Sequence, residues 1–251
     1  MRRKPRALIG TSGWVYPHWR GRFYPEGLPQ PEWLKFYARS FPTAEINASF
    51  YRLPSERTVK GWHANSPRRF VFAVKGSRFI THIKRLKDAE EPLRTFASRI
   101  SLLGEKLGPV LWQLPPNLKR DDERLSGFLE LLPKGWLHAF EFRHPSWFCD
   151  EVLDLLARHN VALCIFSRPD FPCPEVATTG WVYIRMHGSE SLYSSCYTLD
   201  ELRSWAERIE RFLSDGKDVY VYFNNDVNAY AVQNGLVLMK LLGEWAPKRW
   251  W

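Results

Sequence analysis

The sequence is poor in cysteine, has no long apolar run and no internal repeat, and carries one long stretch without an acidic residue. Only four of its 251 residues are cysteine. Cys149, Cys164, Cys173 and Cys196 are dispersed and form no Cys-x-x-Cys pair, which argues against a cysteine-built zinc site and leaves no disulfide framework to read. A reduced, cytoplasmic protein is the simplest expectation. No apolar stretch approaches the roughly 20 residues of a membrane span, so no membrane partner is expected. The start, Met1-Arg2-Arg3-Lys4-Pro5-Arg6, has the charge of a secretory leader, but Ala7-Leu8-Ile9-Gly10 is too short an apolar region to complete one. Gly10-Thr11-Ser12-Gly13 lacks the spacing and the lysine of a P-loop. No linker or low-complexity tract divides the chain, which reads as one domain, 1–251, with a core over about 7–243.

What is present is bulk and positive charge. Hydrophobic residues make up 45% and aromatics 15%, enough for one well-filled core. The formal net charge of +9 is uneven. Residues 1–125 hold 24 Lys and Arg against 11 Asp and Glu, whereas residues 126–251 hold 12 against 16. Between Arg68 and Lys87 seven basic residues (Arg68, Arg69, Lys75, Arg78, Lys84, Arg85, Lys87) have no acidic neighbour. Such a run is either a solvated face or an attraction for phosphate-bearing ligands or nucleic acid.

Short apolar runs alternate with helical periodicity. Strands are expected at Ala7–Gly13, from Thr43, at Phe70–Lys75, Val110–Leu114, His138–Arg143, Val161–Phe166, Trp181–His187 and Val219–Phe223. Between them lie helical patterns: 31–41, from the Ser55 cap to 66, 88–107 ended by Gly108-Pro109, 121–132, 146–159 capped by Ser146, 198–213 with a Thr198/Glu201 capping box, and 227–242. The Pro-rich segment 168–179 is irregular. This order predicts an α/β fold, a single-domain (β/α)₈ TIM-like barrel, with a doubly wound open sheet as the runner-up.

The strand ends carry the functional signal. In a barrel buried on both faces, strands read as apolar throughout. Here one parity stays apolar (Ile46, Phe72, Val74, Trp112, Leu114, Phe140, Phe142, Ile184, Met186, Val221, Phe223), while the other turns polar near each carboxyl end. That second parity gives Thr11, Glu45, Asn47, Lys75, Gln113, Glu141, Arg143, Arg185, His187 and Asn224, which a closed sheet would aim into the mouth where barrel enzymes place their chemistry.

Glu45, Glu141 and His187 are the candidate acid–base residues, His187 being the natural proton carrier near neutral pH. Lys75, Arg143 and Arg185 supply positive charge for an anion; Thr11, Asn47, His82, Gln113 and Asn224 can orient a polar substrate. The bland alternative is a buried ion-pair network, Glu45 with Lys75 or Arg143 and Glu141 with Arg185. Lys75 as a Schiff-base former is opposed by those nearby carboxylates. No cofactor is expected: flanking cations disfavour a divalent metal on Glu45, Glu141 and His187. Trp14, Tyr16 and Trp19 either stack on a sugar or base or pack the first loop. The leading reading is an enzyme, of hydrolase or lyase class, acting on a small phosphorylated or otherwise anionic substrate. A nucleic-acid-binding, phosphodiester-processing barrel and a non-catalytic metabolite sensor are the alternatives.

Several short motifs together resemble the YecE-like proteins (domain of unknown function 72): Gly10-Thr11-Ser12-Gly13-Trp14, Glu45-Ile46-Asn47-Ala48-Ser49-Phe50-Tyr51, Lys75 with Thr81-His82, Gln113-Leu114-Pro115-Pro116, Glu141-Phe142-Arg143-His144, Arg185-Met186-His187-Gly188 and Phe223-Asn224-Asn225-Asp226. The resemblance runs from about Leu8 to Leu242. It implies a TIM-like barrel but supplies no reaction, and its relation to nucleic-acid-processing barrels is an analogy of fold. Ser167-Arg168 stands where the family pattern suggests an acidic residue after the sixth strand.

Overall fold

The computed structural model describes residues 4–169 and 171–247, so Met1-Arg2-Arg3 of the basic start lies outside the described residues. Eight strands form one sheet: β1 (Ala7–Thr11), β2 (Thr43–Ile46), β3 (Val71–Lys75), β4 (Leu107–Gln113), β5 (His138–Glu141), β6 (Val161–Ser167), β7 (Trp181–Met186) and β8 (Asp218–Phe223). Every ladder is parallel, in the order β1-β8-β7-β6-β5-β4-β3-β2. The two end strands, β1 and β2, meet at a single parallel bridge, Ser12 to Glu45. Gly10 permits that approach, because a Cβ there would fall 2.1 Å from the Thr43 carbonyl oxygen. The result is a nearly closed (β/α)₈ barrel, the architecture expected from the alternation.

The helices are α1 (Trp33–Tyr37), α2 (Ala48–Tyr51), α3 (Glu56–Ala64), α4 (Glu90–Ile100), α5 (Asp122–Leu131), α6 (Asp150–Arg158), α7 (Leu199–Ser214) and α8 (Tyr230–Leu242). Ser55 accepts from the Thr58 amide at the start of α3, and Thr198 and Glu201 form the full capping box of α7. Among the described residues no helix joins β6 to β7, where Pro169, Pro172 and Pro174 break the backbone ladder a helix needs.

Three local expectations are corrected. Ser146 does not cap α6, which starts after Cys149; the Ser146 hydroxyl instead accepts from the Arg120 amide. Gly108-Pro109 does not end a helix but lies inside β4, where Leu107 pairs with Phe72 and Val110 with Val74. The extra residue is a bulge, which accommodates a proline that cannot donate to the ladder. Finally, β2 ends at Ile46 and turns into α2, so Asn47 has helical backbone angles and the alternation beyond Glu45 is broken.

Parity places the core as expected elsewhere. Phe72, Trp112, Phe140, Ile184, Val221 and their same-face neighbours pack under the helices, in the larger apolar cluster. Leu8, Ala73, Leu111, Ala139, Ala162, Cys164, Tyr183 and Tyr222 fill the barrel interior. Among the described residues, no helix is long and apolar enough to cross a membrane.

Candidate functional site

Above that interior layer the inward side chains turn ionic. Tyr183 and Tyr222 form the floor, their rings 5.1 Å apart, and the Tyr183 hydroxyl donates to Glu45 Oε2 at 2.7 Å. Glu45 on β2 is held by Arg185 on β7 through two parallel bonds, Nε to Oε2 at 3.0 Å and Nη2 to Oε1 at 2.7 Å. The remaining guanidinium nitrogen, Nη1, donates to Glu141 Oε2 on β5 at 2.8 Å. Arg143 contacts the other Glu141 oxygen and donates through Nη2 to His187 Nε2 at 2.8 Å. The chain of contacts ends at Asn224, whose amide lies 3.1 Å from His187 Nδ1. A guanidinium can only donate, so Nε2 of His187 accepts from Arg143, while its Nδ1 faces the Asn224 side-chain nitrogen.

Five of these groups are sealed: Glu45, Glu141, Arg143, Arg185 and His187 are all buried. Burial alone would raise the carboxyls, but Arg185 and its hydrogen bonds hold Glu45 below the ordinary carboxylate value, and Arg143 with Arg185 hold Glu141 well below it. Burial pushes His187 down to about 4, so it is neutral near pH 7. Desolvation and the neighbouring guanidinium groups outweigh its contact with Glu141, so the imidazole is a weaker base than an ordinary histidine. Of the anticipated pairings, Glu141 with Arg185 is present, whereas Glu45 pairs with neither Lys75 nor Arg143.

Lys75 stands apart. It lies at the carboxyl end of β3, partly exposed, with Nζ 4.2 Å from the centre of the Phe50 ring. Among the described residues it forms no ion pair with a carboxylate. Burial and then the charge of Arg185 depress its ammonium to about 8. His82 sits on the π-helical turn Phe79–Ile83, its ring 5.0 Å from Phe50 and its Nδ1 2.9 Å from the Thr81 hydroxyl. Burial and the charges of Lys75, Arg78 and Arg85 push it down to about 4. The chain just beyond is strained: Arg85, Leu86 and Asp88 all have positive φ. Asn47, Gln113 and Asn224 are half-buried, and Gln113 pairs in register with Glu141.

Thr11 is a correction. It faces the helices, where its hydroxyl meets Tyr37 Oη at 3.0 Å. The inward residue of this strand end is Ser12, which the sequence reading passed over. Ser12 donates to Glu45 Oε1, accepts from Arg185 Nη2 at 3.0 Å and from Asn47 Nδ2 at 2.7 Å. Nothing in the apolar run before it marked Ser12 as inward, whereas Tyr183, two residues before Arg185 on the same face, was readable. Trp14 and Trp19 are buried; Trp14, Tyr16, Trp62 and Asn47 line a cavity of about 190 Å³ beside the mouth. The basic run is divided by β3: Arg68 and Arg69 precede it, while Arg78 to Lys87 follow it, about 17 Å along for five residues. Among the described residues no three His, Cys, Asp or Glu converge as a metal cage, and Arg185 bridges the two carboxylates.

A barrel of eight parallel strands with a buried charged cluster at their carboxyl ends is the class of protein this geometry defines. The chain belongs to the family described as Protein of unknown function DUF72, which it matches over residues 8–249. It is 26% identical to UPF0759 protein YunF of Bacillus subtilis (strain 168), covering 93% of this chain and 94% of that one. Over 49% of each chain it is 32% identical to UPF0759 protein YecE of Escherichia coli (strain K12). The crystal structure of a DUF72 family protein from Thermotoga maritima superposes with a TM-score of 0.87 at 31% identity, covering 95% of this chain and all of that one.

Proposed function

We propose that this protein is an enzyme acting by acid–base chemistry on a phosphate-bearing or other anionic polar substrate at the C-terminal mouth of the barrel. The supporting observation is the isolation of Lys75. Glu45 and Glu141 are matched by Arg185 and Arg143, so the Lys75 ammonium is the surplus charge of the cluster. An anion at the rim would be its partner, with Asn47, Gln113 and Asn224 able to orient polar groups. Lys75 is also the member of the site whose proton leaves closest to neutrality, at about 8, which suits general acid–base work. Glu45 and Glu141 then serve as fixed charges and His187 as a neutral support, consistent with their burial. A hydrolase or a lyase fits this arrangement.

Calorimetric titration with inorganic phosphate, followed by a panel of phosphorylated metabolites, tests the reading on wild type and Lys75→Met. Binding that weakens by about tenfold or more in the variant, roughly 1.4 kcal/mol, is expected. Equal binding by both proteins, or none by wild type, overturns it.

A second reading, a nucleic-acid strand lying across the rim, draws on exposed Tyr51, Phe79 and Ile83 beside Arg52, Arg78 and Arg85. The Tyr51 and Phe79 rings can stack on bases while the cations follow phosphates. It requires affinity for single-stranded DNA or RNA that falls steeply with salt; salt-insensitive or undetectable binding removes it.

A further inference from the structure

We propose that Lys75 is a carbonyl-capturing nucleophile, so that the substrate class is an aldehyde or ketone that also carries an anionic group. The anionic part rests on the function proposed above; the carbonyl part rests on the placement of this amine.

The objection to an imine-forming lysine in this sequence is the presence of two carboxylates near it, which would keep the amine protonated. The structure removes that objection. Arg185 takes both oxygens of Glu45 and one of Glu141, and Arg143 takes the other. Both carboxylates are therefore engaged before Lys75 is considered. What Lys75 meets is the face of Phe50 at 4.2 Å, with the two carboxylates and two guanidinium groups of the network balanced against each other beyond it. The groups that act on it are Glu45 on β2, Glu141 on β5, Arg143 just beyond β5 and Arg185 on β7. His82, from the turn after β3, is neutral and adds no charge to stabilise the ammonium. Guanidinium groups cannot give up their protons, so the amine is the basic group that can. The Phe50 face attracts an ammonium, but more weakly than a paired carboxylate would, so burial and then Arg185 prevail and the amine of Lys75 becomes free near pH 8.

The reaction is balanced without a cofactor. The neutral Nζ attacks the carbonyl carbon, a C–N bond forms and the carbonyl π electrons move to oxygen. A proton passes from nitrogen to that oxygen. The carbinolamine then loses hydroxide, which leaves with the remaining nitrogen proton as water. The net change is one carbonyl compound plus the Lys75 amine giving one imine plus one water. Lys75 lies at the carboxyl end of β3, outside the Glu45–Arg185–Glu141 network, with part of the residue's surface exposed.

The test is reductive trapping. The full-length protein is incubated with glyceraldehyde 3-phosphate or glyoxylate and sodium cyanoborohydride, and the adduct is located by intact mass and peptide mapping. Wild type is compared with Lys75→Arg and Lys75→Met, each checked for folding by circular dichroism. At pH 8 an ordinary lysine with a value near 10.4 keeps well under a hundredth of its amine neutral, so labelling should favour Lys75 on the order of a hundredfold over exposed Lys35 or Lys60. Its rate should be half-maximal near pH 8. An adduct confined to Lys75 and absent from both folded variants supports the proposal. Labelling spread evenly over surface lysines, or unchanged in Lys75→Arg, overturns it. Phosphate binding by both wild type and Lys75→Arg without trapping leaves the anionic-substrate reading standing and removes the imine alone. Loss of phosphate binding in wild type itself removes the anionic reading, whatever the trapping shows.

Discussion

Arg185 holds Glu45 through two parallel hydrogen bonds, of 3.0 and 2.7 Å, across the barrel from β7 to β2, with both side chains almost wholly excluded from water. This fork is the keystone of the charged cluster, since its third nitrogen also reaches Glu141. Buried ion pairs of this kind give little net stability compared with apolar packing, but removing one partner leaves a bare charge behind.

Arg185→Met is therefore expected to lower stability by about 3–5 kcal/mol, because it strands Glu45 without a cation and leaves one Glu141 oxygen unmatched. Arg185→Lys should recover little of that loss, since a single ammonium group cannot reproduce the planar fork. Urea denaturation of the three proteins at pH 7 measures both effects; a Lys variant as stable as wild type would show that charge alone suffices.

Stability should fall as the pH drops from 6.5 toward 4. His187 and His138 are both buried neutral, each pushed from 6.5 down to about 4, chiefly by burial. In the unfolded chain they take up protons below 6.5, whereas the folded protein refuses them until about 4. The unfolded state thus binds more protons across this window, and each histidine removes on the order of 3 kcal/mol by its lower edge. Glu45 and Glu141 act below this window: their folded values lie under the ordinary 4.5, so their contribution is complete above 4.5 and is lost on further acidification. His138→Gln should flatten the stability profile between pH 6.5 and 4; an unchanged slope would count against the assignment.

Gly10→Ala should cost about 1–3 kcal/mol or prevent closure, since its Cβ would meet the Thr43 carbonyl oxygen at 2.1 Å and push β1 from β2 where a single bridge joins them. The same substitution at Gly61, with no atom within 4 Å of the added Cβ, should be neutral or stabilising. Thermal unfolding of the pair separates a seam defect from a general glycine effect.

Ser12→Ala and Thr11→Val should differ in kind. Thr11→Val removes a contact with Tyr37 on the helix side and should lower stability by about 1 kcal/mol without changing phosphate affinity. Ser12→Ala removes a hydroxyl shared by Glu45, Arg185 and Asn47, so it should weaken phosphate binding as well. Calorimetry on both variants decides whether the inward face is the functional one.

Much of the barrel was legible because parallel strands and amphipathic helices impose different periods on the chain, and eight alternations leave few ways to fold. The inward parity of Glu45, Lys75, Glu141, Arg185 and their neighbours followed from the same rule. At β1 it failed: Ala7 to Gly10 is apolar on both faces, so nothing in the pattern said whether Thr11 or Ser12 faced the mouth. At Asn47 it failed because a tight helical turn replaces the strand as soon as Glu45 has been placed.

The sequence by itself determined the architecture, the list of charged groups and the end of the barrel at which they gather, since these depend on local periodicity. Only the tertiary structure decided who is paired with whom. Glu45 and Arg185 are 140 positions apart and meet across the closed barrel, and that meeting leaves Lys75 without a carboxylate. Pairing among residues on different strands depends on the stagger of the closed sheet and on burial, which set both distance and dielectric, and neither is written in the spacing of residues along one strand.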